Sequence, residues 1–177
     1  MLGPGQQVLV RIEKCRLVKN LATILQVEDD QNDVLFLQLA MRKVCDGISF
    51  QTAVDGEQAI GYLSGSGPYA DRRAYPLPAI ILLDLRLPKI PGLEVLKWIR
   101  QQPFFQKLPV IIMSSSEADT DIETAYRLGA NSYFVKPVNP SDLAKIVQYV
   151  RDRWLHHSTT APPEDVIPFL KDPPISD

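Results

Sequence analysis

Ala79-Ile80-Ile81-Leu82-Leu83-Asp84-Leu85-Arg86-Leu87-Pro88-Lys89-Ile90-Pro91-Gly92 is the stretch that decides the fold. Its first five residues are all apolar, and turn signals follow within a few positions. That pattern belongs to a strand buried on both faces of a parallel sheet. Asp84 closes the strand at its carboxyl end, the rim at which open α/β sheets bind ligands. Nothing in the folding of so apolar a strand calls for an acid at its tip. Taken alone, the stretch fits both a solvated surface carboxylate and a functional one. The answer depends on what the other strands bring to the same rim.

Working outward, strand-like and helix-like segments alternate. Leu21–Val27 is a second buried strand and ends in Glu28-Asp29-Asp30. Residues 31–45 place Val34, Leu37, Met41 and Val44 near helical spacing, and Asp46-Gly47 closes that helix. Ile48–Val54 alternates as a strand, Asp55-Gly56 turns the chain, and Glu57–Leu63 forms a short helix. Ser64–Pro78, rich in Gly, Ser, Pro and Arg, is expected as a long surface loop. Beyond Asp84 come a helix from Gly92 to about 102 and the apolar strand Pro109–Met113, which ends in Ser114-Ser115-Ser116. A helix over about 119–128 stops at Gly129, a favoured terminator, and Ser132–Val135 is the fifth strand, ending in Lys136-Pro137. The last helix starts at Pro140-Ser141-Asp142, with Ser141 as the expected cap, and runs to about Trp154. Five strands alternating with five helices predict an α/β fold, a doubly wound five-stranded parallel sheet.

Composition agrees with one such domain. The chain has 177 residues, of which 45% are hydrophobic and 23% charged, enough for a full core. A net charge of −2 gives no basic field for nucleic acid or an anionic membrane. Cys15 and Cys45 form no CxxC and have no histidine-rich neighbourhood, so structural roles in a reducing compartment are expected. With no membrane-span pattern and no signal-peptide core, these features point to a cytoplasmic protein. Three segments follow: an N-terminal extension over 1–20 of open structure, a domain over 21–155, and a proline-rich tail over 156–177 expected to lack regular elements. His156 and His157 fall at the start of that tail and are expected to be exposed.

In a parallel sheet all carboxyl ends meet at one edge. That edge collects Glu28, Asp29 and Asp30, then Asp84, Ser114 and Lys136. Two carboxylates about 4 Å apart repel by roughly 4 kcal/mol at an effective dielectric of ~20. Lys136 neutralises one charge only. A hard divalent cation answers the remainder, and Mg²⁺ suits best because it takes few carboxylates and keeps positions for water or phosphate. The rim has no His or Cys, which argues against zinc or copper.

Val27-Glu28-Asp29-Asp30, Leu82-Leu83-Asp84-Leu85-Arg86-Leu87-Pro88, Ser114, Tyr133 and Lys136-Pro137 together resemble the receiver domain of two-component response regulators. The resemblance spans about Thr23 to Trp154 and implies a flavodoxin-like fold. It implies Asp84 as phosphoacceptor, Asp29 as a direct Mg²⁺ ligand, Glu28 as a ligand through water, and the Arg86 backbone carbonyl as a further ligand. It also implies Lys136 as the phosphate-binding cation, Ser114 and Tyr133 as the switch pair, and a cis bond before Pro137. Ser114 stands where Thr is more usual, and the bulky Arg86 side chain is placed to alter phosphate lifetime.

The tail leaves little room for a DNA-binding or enzymatic output domain, so the output is expected to be a binding event. The loop Ser64–Pro78, the segment Leu87–Leu96 and the end Arg151–Leu155 are similar to the subgroup that serves phytochrome-type sensor histidine kinases. That similarity implies such a kinase as partner and a homodimer through the fourth helix, fifth strand and fifth helix. Trp154 and Leu155 suit either a dimer anchor or packing within the domain. Two other readings stay open: an interaction module that keeps the fold without phosphorylation, and a small-molecule phosphotransferase or phosphatase using Asp84 as nucleophile.

Overall fold

Ile80–Leu83 is the inner strand β3 of a six-stranded sheet in the computed structural model of the protein, which describes residues 22–45, 47–155, 170–171 and 173. The other strands are β1 (Thr23–Val27), β2 (Ser49–Ala53), β4 (Val110–Ser114), β5 (Ser132–Val135) and β6 (Leu170–Lys171). They lie in the order β2-β1-β3-β4-β5-β6. The first five are parallel, as the sequence predicts, and β6 is antiparallel to β5. Chain order reverses beside β1, between β1 and β3, which is where doubly wound sheets open a ligand crevice.

Helices α1 (Gln31–Val44), α2 (Gly56–Ser64), α3 (Gly92–Gln101), α4 (Asp119–Arg127) and α5 (Pro140–Val150) join the strands, and a π-helical turn, Arg151–Leu155, extends α5. Alternation along each strand divides the core. Leu25, Val27, Ile81, Leu83, Ile112 and Tyr133 face α2, α3 and α4. Ile24, Ile80, Leu82, Ile111 and Phe134 face α1 and α5. Both faces of the inner strands are therefore desolvated, which explains why β3 reads as an unbroken apolar run. Each fully buried aliphatic side chain contributes about 1.5–3 kcal/mol.

Two expectations are corrected, for the tail and for the cap of α5, and two others are sharpened. The proline-rich tail does contribute a regular element: Leu170 and Lys171 pair with Phe134 and Tyr133. Leu170 packs on the α1–α5 side of the core, and the Tyr126 hydroxyl donates to the Lys171 carbonyl. Edge pairing and these tertiary contacts, not local propensity, hold so short a strand. The cap of α5 is Asn139, whose Oδ1 accepts from the Asp142 N–H at 3.0 Å, while Ser141 donates to that same Oδ1. Trp154 and Leu155 pack against the domain's own core. Ser64–Pro78 is a surface loop docked on the domain: Tyr75 meets Tyr62 and Tyr69 edge-on, and Tyr62 and Tyr69 pack tilted, with centroids 5.1–6.1 Å apart. Arg72 ties it down by donating to the carbonyls of Tyr62 and Leu63, both at 2.8 Å. Residues 1–20, Cys15, His156 and His157 lie outside the described residues.

Candidate functional site

The rim of the sheet is built by three turns. After β1 the chain exposes Asp29 and caps α1 with Asp30, whose Oδ1 accepts from the N–H groups of Asn32 (2.7 Å) and Asp33 (3.3 Å). That capping role removes Asp30 from the cluster of acids the sequence assembles there. After β3, Gly92 returns close under Asp84, its N–H donating to the Leu85 carbonyl at 2.9 Å. Lys89 sits at the corner of this turn with φ 63° and bridges Asp55 (2.8 Å) and Glu57 (3.0 Å) at the start of α2. After β5 comes Lys136, which reaches back toward β1 and β3.

Glu28, Asp29 and Asp84 each offer a carboxylate oxygen, all within 4.8 Å of one another. The Lys136 ammonium donates to Glu28 Oε2 at 2.6 Å, Asp84 Oδ2 at 2.7 Å and Asp33 Oδ2 at 2.8 Å. Asp84 Oδ1 accepts from the Arg86 N–H at 3.1 Å, while the Arg86 side chain is exposed. Asp33 is the member that sequence reasoning missed. Its only signal was its place in the first turn of α1, three residues past the cap.

Ser114 is wholly buried at the end of β4, and its Oγ accepts weakly from the Ser116 N–H at 3.4 Å. The Tyr133 ring is also fully buried, with its hydroxyl donating to the Ser116 carbonyl at 2.9 Å. Tyr126 on α4 links that strand to the tail: its hydroxyl accepts from the Tyr133 N–H at 3.2 Å and donates to Lys171. No peptide bond among the described residues is cis, so the bond before Pro137 is trans, contrary to expectation. Trans remains the favoured X–Pro form by about 0.5–1 kcal/mol, and nothing in this arrangement reverses it.

Charge is out of balance here. Glu28, Asp29, Asp33 and Asp84 face a single ammonium. Burial disfavours that ammonium, but hydrogen bonds to Asp33, Asp84 and Glu28 outweigh it and hold Lys136 above the ordinary lysine range. The deficit falls on Glu28: burial pushes its carboxyl up to about 7, against the opposing pull of Lys136. The clustered hard oxygen donors suit Mg²⁺ or a similar cation, which would favour the ionised form of Glu28 and relieve the imbalance.

This imbalance fixes a pH dependence. The folded pKa of Glu28, about 7, lies above the unfolded value of 4.5, so the folded state binds more protons between them. Stability from this group is present below the lower value and is lost as pH rises through the upper one. Glu28→Gln removes the loss, which by the shift is about 3 kcal/mol at most. In EDTA, melting curves of variant and wild type should nearly coincide at pH 4.5, with the variant melting higher at pH 8. Coincidence at both pH values would show that Glu28 is not held in its neutral form.

An α/β sheet of this strand order, with acids and a lysine converging on one strand-end aspartate, defines a receiver module. The chain belongs to the response regulator receiver domain family, whose pattern it matches over residues 24–148. It is 35% identical over 136 residues to the response regulator Rcp1 of Synechocystis sp., covering 77% of this chain and 90% of that protein. The crystal structure of the phosphorylated cyanobacterial phytochrome response regulator RcpA superposes with a TM-score of 0.72 at 36% identity, covering 81% of this chain and 99% of that one. The Mn²⁺-bound form of Rcp1 gives a TM-score of 0.70 at 34% identity, covering 80% and 99%. No helix among the described residues is long and apolar enough to cross a membrane.

Proposed function

We propose that the protein accepts a phosphoryl group on Asp84 from a sensor histidine kinase and converts that event into a changed binding surface. The observation that carries this reading is the nearly buried Asp84 carboxylate at the end of β3, hydrogen-bonded to Lys136 within a cluster of acids. An Asp84 oxygen attacks the phosphorus of a phosphohistidine, the P–N bond breaks, and the imidazole leaves neutral, carrying a proton on its other nitrogen. The aspartate becomes an acyl phosphate. Lys136 orients the nucleophile and meets the charge on the transferring oxygens. Asp29, Glu28, Asp84 and the Arg86 carbonyl would hold Mg²⁺, which supplies positive charge to the phosphoryl oxygens when bound.

Exposed apolar residues flank the site. Leu35, Phe36 and Leu39 on α1 and Val138 after β5 give a docking surface for the kinase domain that carries the phosphohistidine. Similarity to RcpA supports a phytochrome-type kinase as that partner. The responding face is the one formed by α4, β5 and α5, where Ser114 and Tyr133 report the phosphorylation state. A second copy of the chain is the partner proposed there. Because β6 occupies part of the free edge of β5, the copies would meet mainly through α4 and α5.

Labelling tests the reading. Incubated with acetyl phosphate and Mg²⁺, the protein should take up one acid-stable, base-labile phosphate, and EDTA should prevent it. No label from any donor or kinase would sink the proposal and favour an interaction module without phosphorylation. Continuous turnover of donor on a bound small substrate would instead favour an enzyme.

A further inference from the structure

Asp33 touches the centre of the site although no expectation placed it there. Its Oδ2 accepts from Lys136 Nζ at 2.8 Å, across 103 positions of chain. An ammonium has three N–H donors. Here all three are committed, to Glu28, Asp84 and Asp33. The partners are not equivalent. The Glu28 and Asp84 side chains are each 6% exposed and would be buried carboxyl groups without this donor if Lys136 were removed, whereas Asp33 is 42% exposed. Water can solvate Asp33, so burial accounts for the other two contacts and not for this one.

The start of α1 sets its direction. Asp33 stands third after the cap, where a capping-box acid reaches back to the N–H of the cap residue. That N–H, on Asp30, already donates to Glu28 Oε1 at 3.3 Å. The Asp33 carboxylate turns to Lys136 instead.

We propose that Asp33 is a positioning residue that holds the Lys136 ammonium in place while Asp84 is being phosphorylated. The role rests on the phosphorylation of Asp84 put forward above. As an Asp84 oxygen bonds to phosphorus, the lysine N–H it accepted is released to a phosphoryl oxygen. Asp33 takes no part in the new bond and keeps the ammonium anchored. Its charge also opposes the approach of an anionic donor, so removing it acts on rate and on donor binding in opposite senses.

The test compares full-length wild type, Asp33→Asn and Asp33→Glu, with acetyl phosphate and Mg²⁺. Asp33→Asn should lower the maximal labelling rate about tenfold and also lower the half-saturating donor concentration about twofold to threefold. Asp33→Glu should recover most of the rate. Melting temperatures should agree within about 2 °C, because a half-exposed pair adds little stability. Unchanged rate and half-saturation in Asp33→Asn would overturn the proposal, as would a rate loss that tracks a fall in melting temperature and is not restored by Asp33→Glu. A second readout needs no donor: in metal-free, ¹⁵N-lysine-labelled protein the Lys136 ammonium resonance should be protected from exchange in wild type and Asp33→Glu and broadened in Asp33→Asn. If wild type takes no label, the phosphorylation reading falls, and the role in phosphoryl transfer falls with that reading. Lost protection in Asp33→Asn then upholds only the anchoring of Lys136 by Asp33, and retained protection removes that as well.

Discussion

Asp84→Asn should take up no phosphate under conditions expected to label the wild-type protein, and it should do so while remaining folded. The amide cannot form the acyl phosphate, and no other carboxylate stands at the end of β3 to replace it. Loss by misfolding is the competing explanation, and charge argues against it. The substitution removes one of the acids crowded around Lys136, where a pair of carboxylates about 4 Å apart repels by roughly 4 kcal/mol at a dielectric of ~20. Without metal the variant should therefore melt at or above the wild-type temperature. With a ligand oxygen changed from carboxylate to amide, Mg²⁺ should stabilise it less than wild type. Residual label on Asp84→Asn, mapped elsewhere in the chain, would move the phosphoacceptor.

Gly92→Ala should be the most disruptive single methyl that can be added near the site. A Cβ there would lie 2.0 Å from the Asp84 carbonyl oxygen and 2.7 Å from Leu85 Cα. Both obstacles are backbone, so no side chain can swing aside. Either α3 shifts or the peptide after β3 turns, and the hydrogen bond from Gly92 to Leu85 goes with it. Overpacking of this kind costs about 3 kcal/mol or more. Gly61 in α2 provides the control: its Cβ would meet the Tyr69 ring at 3.5 Å and Ser66 Oγ at 3.7 Å, both ordinary contacts. Replacing a helix-interior glycine by alanine favours the helix by up to about 1 kcal/mol. Urea titrations should separate the two variants by several kcal/mol, and equal midpoints would mean that the turn beneath Asp84 yields easily.

The parallel strands were legible in the sequence because burial on both faces leaves continuous apolar runs, as at Ile80–Leu83 and Val110–Met113. Glu28, Asp29, Asp84 and Lys136 could be brought together because one topological rule places every strand end on one rim. Assigning Asp30 and Asp33 needed something finer. Asp30 becomes a cap and Asp33 a lysine ligand through the phase at which α1 begins, and an acidic run does not display that phase. The Asn139 cap lay one residue before Pro140, where Ser141 offered an equally good hydroxyl by composition alone. Two residues of β6 carry no periodicity. Their pairing is written in β5 and in Tyr126, far away in the chain.

That small strand has a bearing on solubility. In the order of the first five strands, β5 would end the sheet with a row of open backbone donors and acceptors beside Tyr133 and Phe134, a template for strand addition by another molecule. Leu170 and Lys171 fill part of that row, and a strand of two residues is too short to serve as a template itself. At the opposite margin, β2 presents Ser49, Gln51 and Thr52, none of them buried, a polar border that discourages stacking. The sheet is thus guarded at one margin by composition and at the other by brevity.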